Sequence, residues 1–175
     1  MEVLKNINPE KILFLDIETA PQYPSYSDTP DSLRKLWDGK AKYLVNDKEE
    51  GKKTPGDVYK QAGIYAEFGK VVCITVGMFS GKSFRLKAFY GDDEKIMIEE
   101  FCSLLDKHYN TDLHFLCAHN GKEFDFPFLA RRMLINGLKI PRLLDNAGKK
   151  PWEVRHLDTM ELWKFGDYKN YTSLN

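Results

Sequence analysis

The chain has 175 residues, 42% of them hydrophobic and 30% charged, with 26 Lys plus Arg against 26 Asp plus Glu. That length and apolar content suit one ordinary globular domain with a real core, and they exclude disordered and fibrous classes. The even charge balance excludes a global basic field, so any contact with a polyanion has to come from a local patch.

Residues 11–17 form a nearly unbroken apolar run that ends in acidic residues, the pattern of a strand buried on both faces. From 21 to 69 the composition shifts towards Pro, Tyr, Ser and Asp around Tyr23, Tyr26 and Pro30, and a lysine-rich loop follows. This stretch reads as a surface insertion within a single domain spanning 1–175, with helices expected near 32–45 and 56–68. Residues 71–79 and 84–90 are rich in β-formers and are separated by Ser80-Gly81-Lys82-Ser83, which predicts a hairpin beside the first strand.

Asp92-Asp93-Glu94 opens a helix with acidic residues suited to its N-terminus, and Met97, Phe101, Leu104 and Leu105 then share one face. Residues 113–118 give another short strand. A polar turn leads into a helix whose expected first residue is Pro127 and whose expected buried side is Phe128, Leu129, Met133 and Leu134. A last strand is expected at 154–159 and a helical start at 160–164. Strand, hairpin, helix, strand, helix, strand is a mixed α/β order, and no internal repeat interrupts it.

No run approaches the roughly 20 apolar residues of a membrane helix, and Met1-Glu2-Val3-Leu4-Lys5 lacks the apolar core of a signal peptide. A cytoplasmic location and no membrane partner are expected. Cys73, Cys102 and Cys117 are widely spaced among apolar neighbours, which suits reduced core thiols better than a disulfide framework or a zinc site.

Asp16 and Glu18 stand two apart at the end of the first strand, so a period of two directs both side chains to one face. Two adjacent carboxylates repel unless a cation lies between them, but such a short pattern also describes an ordinary acidic strand end. Asp125 stands at the entrance of a later helix, within His119-Asn120-Gly121-Lys122-Glu123-Phe124-Asp125-Phe126-Pro127-Phe128-Leu129. Helix N-termini favour an ionised carboxylate, and Asp there is equally a common helix cap.

Phe14-Leu15-Asp16-Ile17-Glu18-Thr19, taken with Asn120 followed four residues later by Phe124-Asp125, resembles the first two motifs of the DEDD, or DnaQ-like, 3′-5′ exonucleases. The nearest subgroup is the proofreading exonuclease domain of family B DNA polymerases. The resemblance implies a ribonuclease H-like fold, an α/β mixed five-stranded sheet flanked by helices, with the inserted segment following the first strand. It implies two Mg²⁺ or Mn²⁺ ions, with Asp16 bridging both, Glu18 binding one and Asp125 holding the second. It also implies contacts to a single-stranded DNA 3′ end from Thr19, Asn120 and the aromatics Phe124 or Phe128, while ordinary core packing is the expected use of at least two of Phe124, Phe126 and Phe128.

The family's fourth carboxylate, on a late helix, has no good candidate here. Residues 168–175 read as the lead into that helix, so the third motif is expected to lie further on. Asp158 resembles an acidic strand-end residue that many members carry outside the primary ligand set. His156 is expected to be structural, and His108 and His114 to be exposed. The main rival is a non-catalytic nucleic-acid-binding module on the same fold, using Lys40, Lys42, Lys48, Lys52, Lys53 and Lys60. Acidic residues interleave those lysines, which also describes a solvated, charge-balanced surface. No polymerase segment is present to identify a protein partner.

Overall fold

A computed structural model describes residues 4–45 and 53–167; Lys48, Lys52 and residues 168–175 lie outside the described residues. Five strands form, β1 (Ile12–Pro21), β2 (Gly69–Ser80), β3 (Ser83–Tyr90), β4 (Phe115–Ala118) and β5 (Leu157–Asp158). Four α-helices accompany them, α1 (Asp31–Ala41), α2 (Glu94–His108), α3 (Asp125–Ile135) and α4 (Thr159–Lys164). The strands make one sheet in the order β3-β2-β1-β4-β5. β4 runs parallel to both β1 and β5, while β2 and β3 pair antiparallel, giving the mixed five-stranded sheet that was expected. The chain divides into two compact units, Met1–Glu18 with Val72–Asn175, and Thr19–Val71.

In the first unit, the buried residues Leu13, Leu15, Ile74 and Leu116 supply the sheet's apolar side chains. Gly81 at the hairpin tip takes φ 59, the left-handed conformation that a tight two-residue turn demands. The carboxylate of Asp93 caps α2 by accepting the Ile96 N–H at 3.1 Å. Met97, Ile98, Phe101 and Leu105 then form the buried stripe of α2, with Leu104 at its half-buried margin. Arg132 on α3 reaches Glu94 on α2 through a buried pair, Nη2 to Oε2 at 2.5 Å and Nε to Oε1 at 2.9 Å.

Three local expectations are corrected here. α3 starts at Asp125, two residues before Pro127; proline is tolerated within the first turn because its missing N–H would have no intrahelical partner there. Leu134 is exposed, since the buried face of α3 is set by Phe126, Leu129 and Met133, and position 134 is turned about 100° from Met133. β5 holds only two residues, because its ladder is limited to Cys117↔Leu157 and Ala118↔Asp158 on β4; a 3-10 turn at Pro151–Glu153 comes before it.

The second unit packs α1 against an aromatic cluster centred on Trp37, which is fully buried. Its ring meets Phe68 at 5.2 Å and Tyr59 at 5.5 Å in edge geometry, and its indole N–H donates to the Pro55 carbonyl at 2.9 Å. The helix expected at 56–68 is a 3-10 helix confined to Tyr59–Ile64. Glycines at 56, 63 and 69 lower the helical propensity of that stretch, and the aromatic contacts hold it in the tighter form.

Candidate functional site

The second half of β1 changes from a buried run to alternation. Ile17 is buried, while Asp16 and Glu18 on either side are exposed and share the opposite face. The N–H of Ile17 donates to Oδ1 of Asp125 at 3.1 Å, across 108 positions of sequence. Asp125 is the first residue of α3 and only 4% exposed. Its carboxylate therefore joins the helix start to the strand instead of capping its own helix.

Burial pushes the Asp125 carboxyl up to about 6, and the negative charge of Asp16 pushes in the same direction. The Ile17 N–H opposes both, and the charge of Asp158 adds a smaller upward push. Two residues 109 positions apart, Asp16 and Asp125, are thus close enough to repel, and a cation between them would relieve that repulsion. Among the described residues, no set of three or more His, Cys, Asp or Glu side chains is arranged to hold a metal ion. Thr19 is half-buried on β1 and is the first residue of the second unit.

The turn between β4 and α3 is tightly held. Asn120 adopts φ 60, and its carbonyl accepts the N–H groups of Glu123 at 3.2 Å and Phe124 at 3.0 Å. A Cβ on Gly121 would lie 2.4 Å from Cβ of Ala118 and 2.9 Å from the ring of Phe126, so only glycine fits. The Asn120 side-chain Oδ1 is buried without a hydrogen-bond partner.

Asp158, at the β5–α4 junction, is 3% exposed. Its Oδ1 accepts the N–H of Met160 at 2.9 Å as the cap of α4, and also the N–H of Asn120 at 2.9 Å. Its Oδ2 accepts the N–H of Lys122 at 3.1 Å. Two further contacts join the same segments, His119 Nδ1 to Thr159 Oγ1 at 2.9 Å and Lys122 Nζ to Glu161 Oε2 at 2.7 Å. Neither Thr159 nor Glu161 stands out in the sequence. The one local signal was an Asp followed by a helical start.

Phe124 is half-buried and its ring lies 5.5 Å from that of Phe128, which is buried. Phe126 is buried too, 5.1 Å from the ring of His156. The Nδ1 of His156 accepts the Leu116 N–H at 3.2 Å, so Nε2 carries the proton and donates to the Leu143 carbonyl at 2.7 Å. Burial holds its pKa down at about 4, which leaves a neutral, structural imidazole. His108 is exposed, but His114 is half-buried, with Nδ1 2.9 Å from Thr111 Oγ1 and its ring 5.1 Å from Tyr109. Its expected exposure is therefore corrected, because the strand start it precedes packs it on Tyr109. The three cysteines are free thiols; burial raises Cys102 and Cys117 to about 11, which makes both poor nucleophiles. Among the described residues, no helix is long and apolar enough to cross a membrane.

A family model described as a predicted 3′-5′ exonuclease related to the exonuclease domain of PolB matches residues 64–174. That span includes Asn120, Phe124, Asp125 and Asp158 and begins after Asp16, Glu18 and Thr19. No curated protein matches the chain. Among 14 matching chains of known structure is the family B DNA polymerase from the hyperthermophilic archaeon Pyrobaculum calidifontis. The two are 20% identical over 78% of this chain, with a TM-score of 0.41, and the match spans 13% of the polymerase chain.

Proposed function

From the premise that the chain belongs to a family of predicted 3′-5′ exonucleases related to the exonuclease domain of PolB, we propose that it removes nucleotides from the 3′ end of nucleic acid, single-stranded DNA above all, using Mg²⁺ or Mn²⁺. One observation carries this reading. The Ile17 N–H ties Asp125 to β1 beside Asp16, so that two hard-oxygen ligands repel each other in a partly desolvated place.

The donor set fits a divalent cation chemically. Asp16 and Asp125 would hold it first, and Glu18, on the same exposed face of β1 as Asp16, would complete the set. Such ions, when bound, supply activation of water and neutralisation of phosphate charge. The protein's own part is positional. Burial keeps Asp125 in place and discourages its charge until a cation compensates, and Asn120 and the half-buried ring of Phe124 contact the terminal nucleotide. Phe128, packed behind Phe124, steadies that ring. The base is stacked and not read by hydrogen bonding, so any sequence is accepted.

The experiment is degradation of 5′-labelled single-stranded DNA with Mn²⁺ or with EDTA, on the natural chain and on Asp16→Asn. A ladder shortened from the 3′ end, dependent on Mn²⁺ and absent in the variant, is the expected result. A folded chain that binds DNA equally with and without Mn²⁺ and leaves it intact would instead establish a binding module.

A further inference from the structure

We infer that Asp158 is a positioning residue, which holds the Asn120–Lys122 turn and through it the start of α3 where Asp125 meets β1. The inference rests on the exonuclease reading for its consequence in catalysis, but its geometry stands independently.

A helix cap requires one oxygen, and Oδ1 of Asp158 serves α4 through the N–H of Met160 at 2.9 Å. A serine could do as much. Asp158 does more, because Oδ1 also takes the Asn120 N–H, 38 positions away, and Oδ2 takes the Lys122 N–H, 36 positions away. The N–H groups of Met160 and Glu161 both go to Oδ1, so the second oxygen serves the turn and not the cap. Burying a carboxylate at 3% exposure is unfavourable unless several donors meet it, and two of the donors come from this turn.

The turn needs such holding. Asn120 sits at φ 60, a conformation that costs energy for any residue with a Cβ. Glycine would adopt it freely, yet position 120 carries a side chain whose Oδ1 is buried and unpartnered. Gly121 cannot take over a side-chain role, since a Cβ there would meet Ala118. Five residues after Asn120 comes Asp125, whose contact with the Ile17 N–H depends on where α3 begins. The path from Asp158 to β1 is therefore one carboxylate, one strained turn and one helix start.

Asp158→Asn separates the two roles. Asparagine caps helices about as well as aspartate, so α4 keeps its cap, but an amide cannot accept the Lys122 N–H while also serving Oδ1's partners. Backbone amide exchange read by NMR at Met160, Lys122 and Ile17 is the first measurement. Protection should persist at Met160 and fall at least tenfold at Lys122 and Ile17. Unchanged protection at Ile17 overturns the inference, because a cap alone would not reach β1. Under Mn²⁺, kcat on single-stranded DNA should fall at least tenfold with KM nearly constant, and a wild-type kcat would also overturn it. Should the natural chain cleave nothing, the exonuclease reading fails, and exchange at Ile17 alone decides the positioning role. If the asparagine variant does not fold, Asp158→Ser, which retains a cap but is too short for the turn, replaces it in the same measurements.

Discussion

The Ile17 N–H and the Asp125 carboxylate meet at 3.1 Å, although 108 positions separate them, and this contact brings the acidic end of β1 to the start of α3. Removing the acceptor leaves a buried donor unsatisfied. Asp125→Ala should therefore cost about 1–3 kcal/mol of stability, while Asp125→Asn, which keeps an acceptor and ends the repulsion with Asp16, should cost little. Urea unfolding at pH 7 reads both values; equal losses in the two variants would mean that the carboxylate matters only by its charge.

Stability against pH should expose two opposing groups. Asp125 is raised from 3.8 to about 6, so its contribution is full below pH 3.8 and is lost as pH rises through 6. His156 is lowered from 6.5 to about 4, so its contribution is full above pH 6.5 and is lost as pH falls through 4. Over pH 4 to 6.5 the two trends oppose. Asp125→Asn should leave stability rising with pH across that window, and His156→Gln should leave it falling, each by up to about 3 kcal/mol. Unfolding midpoints taken from pH 4 to 7 would refute the assignment if both variants showed the same slope.

The pair Arg132–Glu94 joins α2 to α3, with side-chain exposures of 3% and 11%. Glu94→Ala leaves a buried guanidinium without this partner and should cost about 3–5 kcal/mol. Arg132→Met combined with Glu94→Met should cost less than either single loss, which a double-mutant cycle by urea unfolding would show.

Gly121→Ala places a Cβ against the Cβ of Ala118, which belongs to the backbone-proximal core and cannot swing aside. The expected cost is about 1–3 kcal/mol, together with looser Asn120 geometry. Thermal unfolding checks the first; a melting temperature unchanged within a degree would show that the turn yields more easily than the spacing suggests.

Sequence alone determined much about this protein. The strands β1 to β4, the hairpin at Gly81, the cap at Asp93 and the acidic end of β1 all follow from short-range patterns, since side-chain periodicity and turn chemistry act over a few residues. Phe124-Asp125 beside Asn120 was legible for the same reason. Tertiary structure decided the rest. The meeting of Asp125 with Ile17, the raised carboxyl, the neutral His156 and the hold of Asp158 on the Asn120 turn all join residues 13 to 108 positions apart. Burial and hydrogen bonding over such separations leave no periodic trace. Elsewhere local chemistry and packing act together: α3 begins before Pro127 because a first helical turn tolerates proline, Leu134 faces outward because Phe126, Leu129 and Met133 set the buried face, and 56–68 tightens into a 3-10 helix because its glycines weaken an α-helix while aromatic contacts hold the tighter form.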